Sequence, residues 1–80
     1  MRLDKYLKVS RLVKRRTVAK EMADQGRIEV NGRVVKSSYD VKLDDVISIG
    51  YGSRLVKARV LNIREITKKD EASELYELVD

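Results

Sequence analysis

Lys14, Arg15 and Arg16 stand directly before Thr17-Val18-Ala19-Lys20-Glu21-Met22, a segment whose apolar residues have helical spacing. The start of a helix already presents unbonded N–H groups and roughly half a unit of positive charge. A basic triplet there adds to that field instead of relieving it, so the partner it calls for is an anion such as phosphate. Arg2, Lys5 and Lys8 belong to an earlier helical segment, Arg11 to the connection, and Lys20 to the second helix. If the two helices pack side by side, Arg2, Lys5, Lys8, Arg11, Lys14, Arg15, Arg16 and Lys20 make one basic face. The competing reading pairs Arg15 and Arg16 with Glu21, Asp24 or Glu29 as surface ion pairs worth about 1 kcal/mol or less each. Too few acids lie nearby for that to neutralise the cluster.

The charge distribution sharpens the point. The 80-residue chain carries a net charge of +5, but residues 1–20 hold eight Lys or Arg against one acid, Asp4. Residues 61–80 hold three Lys or Arg against six acids. A polyanion is the partner that such a one-sided basic segment fits. Arginine at positions 15 and 16 suits bidentate contacts to phosphate. The four tyrosines are the only aromatic residues, and none falls within residues 11–20. Readers of unpaired bases display aromatic platforms, so the expectation is recognition of a folded RNA by backbone and shape, without base stacking.

Catalytic and metal chemistry find little to work with. The chain has no cysteine and no histidine, which removes disulfides, the usual zinc sites, thiol nucleophiles and imidazole acid–base catalysis. The serines have no base to activate them. Gly50-Tyr51-Gly52 leads from one strand into another and reads as a turn, not a dinucleotide fingerprint. Asp44-Asp45 reads as a turn before a strand, not a metal site. No enzyme activity and no cofactor are expected. No apolar run approaches the roughly 18 residues of a membrane span, and no apolar signal core opens the chain. The expected setting is the cytoplasm.

The elements that must position the basic residues follow from periodicity. Leu3, Tyr6 and Leu7 form a helical stripe, with Asp4 placed to pair with Lys8 one turn on. Leu12 and Val13 are expected to enter the core. A second helix is predicted over residues 17–25, with Thr17 as N-cap, Val18, Ala19, Met22 and Ala23 on its apolar arc, and Gly26 as its stop. The period then changes to two. Ile28 and Val30 mark a strand, Asn31-Gly32 a hairpin turn, and residues 33–36 the return strand. A third strand is predicted at 46–49, a turn at 50–53, and a longer strand across 54–63 with Val56, Ala58 and Val60 on one face. Ala72, Leu75, Tyr76 and Val79 then share a helical stripe. The fold class is α+β: two N-terminal helices on a small, mainly antiparallel sheet, with a short C-terminal helix. The expected division is an RNA-binding domain over 1–66 and a helical extension over 67–80.

"RLDKYLK" followed by "KRRTVAKEMADQGRIEVNGRVVKSSYDVKLDDVISI" closely resembles the S-four (S4) RNA-binding domain, over residues 2–49. The opening Arg-Leu-Asp, the basic second helix with its Ala-Lys, the Gly and the Val-Asn-Gly occur in the family's order, and Arg2 and Arg16 fall on its motif. Ser37-Ser38 and Asp44-Asp45 depart from the common Pro-Ser and Gly-Asp, both in loops. The resemblance implies the RNA-binding fold called alpha-L. A free-standing chain with the tail "TKKDEASELYELVD" is similar to the small bacterial heat-shock and ribosome-associated quality-control members of the family.

That similarity implies a monomer that binds the 50S subunit, its rRNA and a P-site peptidyl-tRNA. Such members hold the tRNA against an intersubunit-bridge stem-loop of rRNA and support C-terminal alanine tailing by a partner protein on the same ribosome. The alternative is a general rRNA-binding recycling or assembly factor that does not clamp tRNA.

Overall fold

In the computed structural model, which describes all 80 residues, the stripe of Leu3, Tyr6 and Leu7 lies on helix α1 (Leu3–Val9) and is fully buried. Helix α2 (Arg16–Asp24) buries Ala19, Met22 and Ala23. It begins one residue earlier than expected, with Arg15 in the extended cap position and no side-chain cap, so Thr17 is not the N-cap. Gly26 stops it at φ 73, where a Cβ would be strained.

The change to period two produces β1 (Ile28–Val30) and β2 (Arg33–Val34), joined through Asn31 at φ 53 and Gly32 at φ 83. Positive φ at both central residues is what a tight hairpin turn requires. The return strand is shorter than residues 33–36. Next come β3 (Val46–Tyr51) and β4 (Arg54–Val60), paired through to Tyr51 opposite Arg54. The turn therefore tightens to Gly52-Ser53, and Gly50 and Tyr51 belong to the strand.

The C-terminal helix is present but short, a 3₁₀-helix over Lys69–Glu74. The stripe that was expected to extend it does not. Tyr76–Val79 form strand β5 instead, antiparallel to β4. Leu75-Tyr76-Glu77-Leu78-Val79 serves either period, and the open edge of β4 offers backbone bonds that an isolated helical turn lacks. Strand β4 ends at Val60, earlier than expected, because the N–H groups of Leu61 and Asn62 both turn to the Leu75 carbonyl, at 2.8 and 3.2 Å.

The five-stranded sheet has the order β2-β1-β3-β4-β5, with every neighbouring pair antiparallel. Its inner face carries Ile28, Val30, Ile47, Ile49, Ala58 and Val60, all buried beneath the two helices. The outer face carries Glu29, Ser48, Lys57 and Arg59. Asp45 secures the hairpin end, accepting from Asn31 Nδ2 at 2.9 Å, Tyr39 Oη at 3.0 Å and the Lys42 N–H at 2.9 Å. Its neighbour Asp44 takes φ 71, so Asp44-Asp45 is a turn, with Asp45's oxygens engaged within the fold.

Tyr6 links the first helix to the last segment. Its buried hydroxyl donates to the Leu75 carbonyl at 2.7 Å, and Leu75 itself is fully buried in the core. Tyr6→Phe should cost about 1 kcal/mol, since the same carbonyl keeps its two backbone donors. Leu75→Ala should cost about 2–5 kcal/mol by opening a cavity. Urea unfolding midpoints measure both. A loss under about 1 kcal/mol for Leu75→Ala would make 67–80 an appendage rather than part of the core.

Candidate nucleic-acid interface

Asp4, the only acid among the first twenty residues, is buried between α1 and the start of α2. It accepts two bonds from Arg2, from Nε and Nη2, each at 3.2 Å. It also accepts the Lys5 N–H at 2.7 Å and forms an ion pair with Arg16 Nε at 3.3 Å. Burial pushes its carboxyl upward, but the Arg2 hydrogen bond, the Lys5 N–H and the charges of Arg16 and Arg2 outweigh that and hold it below 3.8. The expected Asp4–Lys8 pair does not form. Nor does Arg16 turn to Glu21, Asp24 or Glu29. Both arginine side chains remain about half exposed, so each is anchored on its inner side and open to solvent on the other.

The connection between the helices sets the next group. Ser10 Oγ is buried, donates to the Leu7 carbonyl at 3.2 Å and receives the Leu12 N–H at 3.4 Å. Arg11 takes φ 64, an uncommon conformation for a residue with a Cβ. Val13 enters the core and Leu12 packs against it, as expected. Arg11, Lys14 and Arg15 are left outside.

Lys8, Arg11 and Lys14 then meet a fourth cation from outside the basic N-terminal segment, Lys69. Together with Val13 these four line a small cavity of about 250 Å³. No carboxylate lines it. Four converging cations match the charge and donors of a phosphate group. Lys69 begins the 3₁₀-helix, far from the others in sequence. The only signal for it is Lys68-Lys69, a basic pair within an otherwise acidic tail.

The remaining basic residues divide. Arg15, with Arg11, Lys14 and Arg54, edges an adjoining groove. Lys20 is exposed one turn beyond Arg16 on α2. Lys5 is bound to Glu65, whose carboxyl is held below its ordinary range by that hydrogen bond and by the lysine charge. Its charge is therefore partly offset. Three other acids of residues 61–80 pair away from this face. Glu77 pairs with Arg59 at 3.0 Å, and Glu71 and Glu74 with Arg64 at 3.6 and 3.5 Å.

No grouping of three carboxylate, thiol or imidazole side chains has metal-binding geometry, and no helix is long and apolar enough to cross a membrane. Comparison with known proteins places these features in context. Residues 1–47 match the S4 domain. An RQC P-site tRNA stabilizing factor of Streptococcus pneumoniae is 56% identical over 79 residues, covering 99% of this chain and 90% of that protein. The Bacillus subtilis protein of the same name is 53% identical, covering 99% and 92%. Among solved structures, the trimeric Heat Shock Protein 15 of Vibrio cholerae superposes with a TM-score of 0.91 at 29% identity, covering 99% of this chain and 81% of that one.

The Asp4 anchor can be tested through acid. Its folded carboxyl titrates below its ordinary 3.8, so the folded state binds fewer protons than the unfolded chain. Its contribution is complete above that ordinary value and is lost as the pH falls through the lower, folded one. Asp4→Asn should therefore be less stable than the parent near neutral pH. The gap should close as the pH drops below about 4. Urea midpoints across that range check it. Glu65→Gln, which removes a solvent-screened pair, should leave the acid limb nearly unchanged. A gap for Asp4→Asn that stays constant down to low pH would place the stabilisation elsewhere.

Proposed function

This chain belongs to the S4 domain family of RNA-binding, ribosome-associated factors, and from that premise we propose that it binds the 50S subunit and steadies a P-site peptidyl-tRNA. It touches large-subunit rRNA and the tRNA together. By keeping the tRNA in place it supports the addition of C-terminal alanine tails to stalled nascent chains by a partner protein on the same ribosome. It acts in the cytoplasm as a monomer and without catalysis.

One observation supports this reading above the others. Lys8, Arg11, Lys14 and Lys69 converge on one cavity while Asp4 holds Arg2 and Arg16 with their outer N–H groups open. Fixed donors of this kind fit the phosphate backbone of a folded RNA, because position rather than base identity is what such contacts read. The close relatives supply the tRNA and the P site, as their names state. The second reading, an rRNA-binding recycling or assembly factor, needs the same basic surface but no tRNA.

Two RNA surfaces engaged at once act as linked sites, so each strengthens the other by about 1–3 kcal/mol, roughly 5–150-fold. Labelled protein should therefore sediment more tightly with 50S subunits carrying peptidyl-tRNA than with empty ones at matched salt. Arg16→Ala should weaken binding to both by about 1–3 kcal/mol. Arg59→Ala should not, since Arg59 lies on the outer face of the sheet beside Glu77. Equal affinity for the two particles would remove the tRNA contact and leave the second reading. Equal losses at positions 16 and 59 would count against a localised surface.

A further inference from the structure

Part of the sheet's inner face is left uncovered. In the strand register Val56 lies opposite Ile49, and Leu78 opposite Ala58, so both point toward the helices. Ile49 and Ala58 are buried, yet Leu78 is 67% exposed and Tyr51 36%. With Val18 of α2, these side chains floor a groove of about 880 Å³ between the 10–15 connection and the tip of the β3–β4 hairpin. Its rim is cationic, formed by Arg11, Lys14, Arg15 and Arg54. No carboxylate lines it.

Tyr51 is the decisive residue. The sequence places no aromatic side chain within the basic stretch 11–20, which argues against base stacking. The fold brings one there from strand β3. The Tyr51 hydroxyl donates to the Leu12 carbonyl, which fixes the ring against the basic connection. Arg11 and Lys14 line this groove and also the four-cation cavity beside it. The cavity and the groove therefore adjoin and share two cations.

We propose that the groove receives one unpaired base of the bound RNA, stacked on Tyr51, while the adjacent phosphate sits among Lys8, Arg11, Lys14 and Lys69. This rests on the RNA-binding reading above and adds a specificity to it: a preference for RNA with a base free of its stem. The volume lies within the range of small-ligand sites, roughly 300–1,000 Å³. The continuous band of cations favours an RNA over an acidic peptide, since a peptide in the groove would leave the neighbouring four-cation cavity unfilled. A ring already fixed in place loses little freedom when a base stacks on it.

Two hairpin RNAs, one with a fully paired stem and one with a single bulged adenine, test this with the full chain. A 2-aminopurine at the bulge reports stacking. The protein should bind the bulged RNA roughly tenfold or more tightly than the paired one, with quenched 2-aminopurine fluorescence. Tyr51→Leu should abolish that preference while leaving affinity for the paired hairpin within about twofold, because the phosphate contacts remain. Leu78→Gln, a neutral change at an exposed position that should not unfold the chain, should do the same by making the floor polar. Equal binding of the two RNAs, or a preference that survives both substitutions, overturns base insertion while sparing the RNA reading. A leucine-containing acidic peptide that binds the groove while the two RNAs remain indistinguishable would assign it to a protein instead. Failure to bind either RNA would overturn the RNA reading itself, and base insertion with it.

Discussion

The arrangement of this surface depends on one buried carboxylate serving two arginines. Asp4 sits beneath Arg2 and Arg16 and makes contact with both, one on each side of the junction between α1 and α2. An ionised carboxylate out of water is costly unless it is paired and hydrogen-bonded. Two guanidinium groups and a backbone N–H meet that requirement here. The arginines lose little solvation in return, because their outer halves remain in water. The product is a pair of long, flexible side chains held in place before any ligand arrives.

The rest of the fold supports that junction. Tyr6 passes through the core to the Leu75 carbonyl, and β5 closes the open edge of β4. The same C-terminal segment delivers Lys69 to the cavity containing Lys8, Arg11 and Lys14. It also carries five of the thirteen acids, and its glutamates at 71, 74 and 77 are paired with Arg64 and Arg59. Three of the C-terminal acids are thus engaged away from the basic surface, while Glu65 reaches it at Lys5. A basic surface next to unengaged acids would attract a polyanion less strongly.

Local chemistry was legible in the sequence. Asn31-Gly32 specifies its turn by backbone conformation alone, Gly26 ends its helix for the same reason, and the change of period near residue 27 marks the passage from helix to sheet. The density of basic residues in 1–20 is likewise a property of the sequence itself. What the sequence did not reveal were through-space encounters. The partners of Asp4 are Arg2, just before the first helix, and Arg16 in the next one, not Lys8 one turn away. Lys69 reaches the basic cluster because the segment before β5 folds back over the first helix, anchored at Leu75. Tyr51 stands beside Arg11 and Lys14 through strand pairing, and no spacing rule within residues 11–20 could place it there. Ala72, Leu75, Tyr76 and Val79 make a helical stripe, but Tyr76 and Leu78 also alternate onto the inner face of the sheet, and the free edge of β4 decides between the two.

The most direct test concerns what Asp4 does for binding. Asp4→Asn keeps the shape of the side chain and raises the net charge by one, so a protein that attracts RNA only through its overall field should bind at least as tightly as before. If Asp4 holds Arg2 and Arg16 in place, the variant should bind ribosomal subunits more weakly despite its extra positive charge, by about 1 kcal/mol or more. The measurement is the dissociation constant of each protein for 50S subunits at the same salt concentration, with the fold of both verified by circular dichroism. Weaker binding by Asp4→Asn is the expected result. Equal or tighter binding would contradict the positioning role and leave only a diffuse positive charge.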